Sequence, residues 1–200
     1  MVGRRRAALA CGSLLGVVAL TTAAYFTDFA DITTHIDGSG NSFDIVVAGS
    51  IDPKWAPAPT EWAQATEEPF LVDLGTDGSL APGTSRTVRV AVKNASPKLG
   101  ADIQLVLRDP DPQGTATDPV TGGFVELFDQ LEFEVFENDE LLLHSDGAQD
   151  EAGRTVVWSR ALPSTDVRVL DVKVTLPRDV DDRWQRAGTQ LQFGFEAVGK

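Results

Sequence analysis

The chain has 200 residues, 30 of them Asp or Glu and 17 Lys or Arg, for a formal net charge of −13. That balance excludes a cationic surface for neutralising phosphate, so nucleic acid is not an expected partner. The single cysteine, Cys11, excludes an internal disulfide framework, while the length supports one substantial hydrophobic core.

The N-terminus reads as an export signal. Arg4-Arg5-Arg6 precede an uncharged run from Ala7, and small residues lead into Thr22-Ala23-Ala24-Tyr25-Phe26-Thr27-Asp28. These are the charged, apolar and cleavage zones of a secretory signal, with the arginines held on the cytoplasmic side. Cleavage is expected between Ala24 and Tyr25, so membrane contact is confined to residues 1–24 before processing. The competing reading is a retained anchor. The uncharged run from Ala7 to Thr27 is 21 residues long, and about 20 residues span a bilayer as helix. Gly12, Gly16, Thr21 and Thr22 weaken such a helix, and Ala23-Ala24 suits a peptidase that needs small side chains. Lipidation at Cys11 fits less well, because the apolar run continues past it. Without residues 1–24 the chain keeps 14 Lys and Arg, 30 Asp and Glu, and no cysteine. The expected organisation is a signal peptide at 1–24, an extended N-terminal arm at 25–41, and a single β-sandwich domain at 42–200.

The arm has strand character. Phe26, Ala30, Ile32 and Ile36 share one parity, and Asp37-Gly38-Ser39-Gly40-Asn41 ends the segment. It either folds as a first strand on its own domain or pairs with an exposed sheet edge on another molecule. Phe43, Ile45 and Val47 then alternate with Ser42, Asp44 and Val46 over a strand at 42–48. Pro53, Pro57, Pro59 and Pro69 exclude regular sheet or a long helix between Ile51 and Pro69. Trp55 and Trp62 in that stretch either clamp the loop onto the sandwich or form a ligand surface.

A short strand is expected at 70–74, then a turn at Leu80-Ala81-Pro82-Gly83, where proline fixes one turn position and glycine supplies positive φ at the next. Val88, Val90 and Val92 share a face opposite Thr87, Arg89, Ala91 and Lys93. Ile103, Leu105 and Leu107 restart that pattern after Asn94-Ala95-Ser96-Pro97. Two one-faced strands joined so closely predict antiparallel sheet over a core. Phe124, Leu127, Phe128 and Leu131 have the spacing of a short helical face. Leu131, Phe133 and Val135 continue as a strand, turned at Asn138-Asp139 into Leu141-Leu142-Leu143. Val156 and Trp158 mark a short strand, Val167 to Leu176 a longer one, and Leu191, Phe193, Phe195 and Ala197 face one way in the last. Eight to ten short strands with long polar crossings predict an all-β, antiparallel sandwich with one or two short helices, and exclude βαβ units.

Catalytic signatures are absent. His35 and His144 stand apart and form no His-Glu-x-x-His pair for zinc. There is no Gly-x-Ser-x-Gly elbow and no phosphate-binding glycine loop before a helix. No catalytic, cofactor-binding or metal-binding residue is therefore assigned. Asp109, Asp111 and Asp118, or Asp146, Asp150 and Glu151, offer oxygens to calcium, but neither group follows the 12-residue loop pattern. A solvated acidic loop explains both. Leu162-Pro163-Ser164-Thr165-Asp166 lacks the final glycine and the apolar tail of a cell-wall sorting signal.

Taken in order, the signal junction Thr21 to Asp28, Phe43-Asp44-Ile45, Leu80-Ala81-Pro82-Gly83, the run Val88 to Asn94 and the closing Leu191-Gln192-Phe193-Gly194-Phe195-Glu196-Ala197 resemble the TasA/camelysin family over nearly the whole chain. That family includes biofilm-matrix fibre subunits and spore-coat-associated proteins exported with a dedicated signal-peptidase type. The resemblance implies a jelly-roll-like sandwich, secretion to the cell surface or matrix, and head-to-tail fibres in which an N-terminal strand enters the next subunit. Carried onto this chain, the donor runs from Tyr25 or Phe26 towards Ile36, with Tyr25, Phe26, Phe29, Ile32 and Ile36 as assembly residues. Partners are then other copies of the chain, with matrix or cell-surface proteins beside them. The alternatives are a monomeric secreted ligand-binding sandwich and, because some relatives carry that label, a metalloendopeptidase, which the two isolated histidines do not support.

Overall fold

The computed structural model describes residues 42–64, 80–110, 112–113, 116–180, 184, 187 and 189–200. The expected signal at 1–24, the arm at 25–41 and the strand at 70–74 lie outside the described residues. So do the site assignments at Ala24, Tyr25, Phe26, Phe29, Ile32 and Ile36.

Eleven strands are described: β1 (Ile45–Ser50), β2 (Ala63–Gln64), β3 (Thr84–Asn94), β4 (Ala101–Arg108), β5 (Ala116–Thr117), β6 (Phe124–Val125), β7 (Glu132–Glu137), β8 (Glu140–Asp146), β9 (Thr155–Val157), β10 (Val167–Leu176) and β11 (Gln192–Gly199). All their pairings are antiparallel. One sheet has the order β2-β1-β3-β10-β7-β8 and a second the order β11-β4-β9, with β5 and β6 forming a separate ribbon. Val88 and Val90 of β3, Leu105 and Leu107 of β4, Phe133 and Val135 of β7, and Leu170, Val172 and Val174 of β10 share one buried cluster. The two sheets thus close over a common interior, an arrangement consistent with a β-sandwich.

The alternation read from the sequence holds on β3, where Val88, Val90 and Val92 are buried. Ala91 is equally buried on the opposite face, as are Val46 and Ala48 of β1. The loop at 51–64 accounts for this, because it crosses that outer face: Arg89 Nη1 donates to the Trp55 carbonyl at 3.1 Å. The turn before β3 is also as expected, with the Thr84 N–H donating to the Ala81 carbonyl at 2.9 Å and Gly83 at φ +79°.

Two expectations are corrected. β3 and β4 do not pair; they belong to different sheets. Asn94 is the reason, since its fully buried amide donates to the carbonyls of Leu99 (2.8 Å) and Leu162 (3.0 Å). Its Oδ1 accepts the Ser96 N–H at 3.0 Å, so the chain is steered out of one sheet and into the other. Nor is there a helix over 124–131. Phe124 lies in β6 and is 58% exposed, and only Phe128–Gln130 coil, as a 3₁₀ turn. Eight residues starting after Gly122-Gly123, with no side-chain cap, do not meet the cost of helix nucleation. Phe128 and Leu131 satisfy their apolar character by entering the sheet core, where the Phe128 and Phe133 rings stand 5.3 Å apart. Helical structure among the described residues is 3₁₀ only.

The β7–β8 hairpin closes through Asn138 and Asp139 at φ 52° and 66°, the signs of a type I′ turn. Aspartate in the left-handed region costs roughly 1 kcal/mol, which glycine avoids. Asp139→Gly is therefore expected to raise stability by about 0.5–1 kcal/mol. Urea unfolding should show a higher midpoint with an unchanged slope.

Candidate functional site

The feature that stands out is the outer edge of β11. Its inner edge pairs with β4 over eight positions, from Gln192↔Arg108 to Gly199↔Ala101. No strand among the described residues pairs with the other edge. Alternate residues of such a strand direct N–H and C=O groups outward, a template for another strand. Phe193, Phe195 and Ala197 turn towards the core but stay half-buried, whereas their partners Leu107, Leu105 and Ile103 on β4 are buried. The interior beneath β11 is therefore incompletely covered. The chain leading out of residue 42 passes close by: the Phe43 ring lies 2.9 Å from where a Cβ on Gly199 would stand. The Asp44 N–H donates to Ser96 Oγ at 2.9 Å and its carbonyl accepts the Ala95 N–H at 2.9 Å, fixing that exit point.

The outer face of the small sheet is fastened by one arginine. Arg108 on β4 reaches along the strand, past Gly194, to Glu196 on β11, which Gln104 also contacts. On its other side Arg108 contacts Glu151 at 3.2 and 3.3 Å, just before the turn into β9. A Cβ at Gly194 would stand 2.9 Å from Nη1 of Arg108, so the glycine leaves the path open. Hydrogen bonds from Arg108 and then Gln104 hold the Glu196 carboxyl below its ordinary value, against the opposing effect of burial. The Arg108 guanidinium is correspondingly raised, first through its hydrogen bond with Glu151.

The remaining expected sites separate in space. Trp55 and Trp62 are half-buried in the loop over the large sheet. The Trp55 indole N–H donates to Glu61 at 3.1 Å, and Lys93 lies 6.0 Å from the Trp62 ring centre. Beneath them Arg89 makes a two-pronged pair with Asp171 at 2.7 and 2.9 Å. Asp111 lies outside the described residues, and the described acids of the two groups are engaged locally. Asp118 accepts backbone N–H groups of its own turn, as do Asp146 and Asp150, while Glu151 serves Arg108. Among the described residues no three His, Cys, Asp or Glu are placed to hold a metal. A shallow opening of about 320 Å³ beside Arg108, Asp109, Asp129, Glu151 and Arg154 is polar and open to solvent.

Sequence reasoning missed a second arginine. Arg168 has the core-facing parity of β10, opposite Val92. It pairs with Glu137 at 2.9 Å and lies 5.0 Å from the Trp158 ring centre, while the Trp158 indole N–H donates to Glu137 at 3.0 Å. The signal was available: extending the alternation of Leu170 and Val172 backwards puts a cation on the apolar face.

No family model matches the chain, and no curated protein matches it. Among solved structures it is similar to one described as "AvmM Catalyzes Macrocyclization in Alchivemycin A Biosynthesis", with 11% identity and a TM-score of 0.32, covering 63% of this chain and 86% of that one. At that TM-score the likeness carries neither fold nor function across.

The Glu137 and Arg168 side chains are only 18% and 16% exposed. Glu137→Ala leaves a nearly buried guanidinium and an indole N–H without their acceptor. A loss of about 2–4 kcal/mol is expected in denaturant unfolding; a loss under about 0.5 kcal/mol would show that the pair is dispensable.

Proposed function

We propose that this chain is a secreted structural subunit of an extracellular or cell-surface fibre or matrix, not an enzyme. Its copies join when the N-terminal arm of one adds as a strand to the body of the next. The two-sheet body is taken as a jelly-roll-like sandwich, and matrix or cell-surface proteins are further partners. The observation that carries this reading is the eight-residue β11, unpaired on its outer edge among the described residues, with Phe193 and Phe195 half-covered beneath it. An incoming strand would supply backbone partners at the edge and apolar side chains over those rings. The residues from Tyr25 to Ile36 suit that task, with Phe26, Ile32 and Ile36 as plugs on one face and Tyr25 and Phe29 on the other. Their resemblance to exported fibre subunits supports the same conclusion. At about 3.3 Å per residue, twelve residues exceed the length of β11 by half.

The position of Phe43 beside Gly199 supports a second reading, in which the arm turns back onto its own β11 and the protein stays monomeric. The two readings are separated by mixing single-cysteine proteins that begin at Tyr25, one with Cys in the arm near Ile32 and one with Cys near Val198. Disulfide-linked dimers across the mixture are expected, together with filaments or strand-linked oligomers, and deletion of 25–36 should leave soluble monomers. Cross-links formed only when both cysteines share one chain, or filaments that survive the deletion, would sink strand donation.

A further inference from the structure

The small sheet depends on β4, since β9 pairs with it at three positions and β11 at eight, and among the described residues neither has a strand on its other side. Across its solvent face the side-chain links between strands are carboxylate links. Arg108 joins Glu196 of β11 to Glu151 at the approach to β9, and Gln104 shares Glu196. At the far end of β11, Lys200 pairs with Asp102 of β4. Arg108 lies across Gly194 and over the fully buried Val106, a cation held against apolar surface by two acids. The other charged groups near it are Asp109, Asp129 and Arg154, all lining the same opening.

We propose that β11 is an acid-releasable edge strand, fastened to β4 by the Arg108 bridge to Glu196 and Glu151 and set loose when the Glu196 carboxylate is protonated. The sign follows from the direction of the Glu196 shift. A carboxyl held below its ordinary value of 4.5 contributes stability above that value and loses it as pH falls through the folded-state value. The central strands carry ion pairs too, Arg89–Asp171 and Lys173–Glu134 among them. They differ in having ladders on both sides: β10 pairs with β3 at ten positions and with β7 at five. Losing side-chain links therefore frees β11 before it frees β10. The release does not depend on strand donation, and it would occur in a monomer.

Amide hydrogen exchange on the full chain, with the form beginning at Tyr25 alongside, tests this. Protection is compared at pH 7 and pH 3.5 after correction for the intrinsic exchange rate. Protection of the β11 amides is expected to fall by about two- to fivefold more than that of the β10 amides, the effect of losing a largely solvent-exposed ion pair. Arg108→Met should show the weakened β11 already at pH 7 and lose the difference between the two strands' pH responses. The pair Glu151→Gln with Glu196→Gln, which keeps side-chain shape, should do the same. Parallel loss in β11 and β10, or an unchanged pH response in either variant, would overturn the proposal.

Discussion

The ladder between β3 and β10 carries the rest of the structure. Ten residues of each strand pair without interruption, from Val167↔Lys93 to Leu176↔Thr84. On the inner side this stacks Val88 and Val90 against Leu170 and Val172, all buried. A one-residue slip would turn those side chains outward, so the period of two fixes the register. The outward side of the same ladder is where Arg89 grips Asp171 and reaches the Trp55 carbonyl, tying the proline-rich loop down. One pairing thus positions the core on one face and the longest described loop on the other. It also explains the placement of Arg168, which the register puts on the core face at the mouth of the interior. There the cation is stabilised by Glu137 and the face of Trp158 in place of water.

Against that wide sheet stands a narrow one, and the mismatch shapes what the molecule can do. Among the described residues six strands face three. The middle strand of the smaller sheet is sealed, with Leu105 and Leu107 fully buried, but Phe193 and Phe195 beside them are not. Covering a further ~100 Å² of apolar surface there would contribute about 2.5 kcal/mol. The hydrogen bonds of an added strand would come in addition. Among the described residues, β11 is thus the edge where an added strand, from the same chain or another, would cover apolar surface.

Much of the sheet was legible because alternation is a local signal. Val167 to Leu176 is a strand over the very residues that the pattern marked, and Val88, Val90 and Val92 face inward as read. Failures came where a non-local partner decides. Nothing in Asn94-Ala95-Ser96-Pro97 announces that the Asn94 amide will bind the carbonyl of Leu162, 68 positions away, and so send β4 into the other sheet. The stripe Phe124, Leu127, Phe128 and Leu131 has helical spacing, yet the segment is too short to hold a helix against the pull of the core on Phe128. The site was read less well than the fold. Alternation with Phe193 and Phe195 puts Gly194 on the outer face, and a glycine inside a strand marks a close approach. Here the group that approaches is Arg108, from the neighbouring strand. Edges of a sheet are invisible to periodicity, because a strand looks the same with one neighbour as with two.

The charge of the chain bears on the type of contact its copies can make. The region 42–200 holds 14 Lys and Arg against 27 Asp and Glu, and the arm adds Asp28, Asp31 and Asp37 with no Lys or Arg. Copies so alike in sign repel when brought together, which disfavours broad docking of one charged surface on another. Strand pairing is less sensitive to this, since its hydrogen bonds come from the backbone and its apolar plugs are neutral. Salt at about 0.15 M limits the remaining repulsion to a range of about 8 Å. On the proposed reading, self-association of so acidic a chain is better served by an edge than by a face. Arg108 fits that logic, because by binding Glu196 it offsets the one carboxylate on the strand that offers the edge.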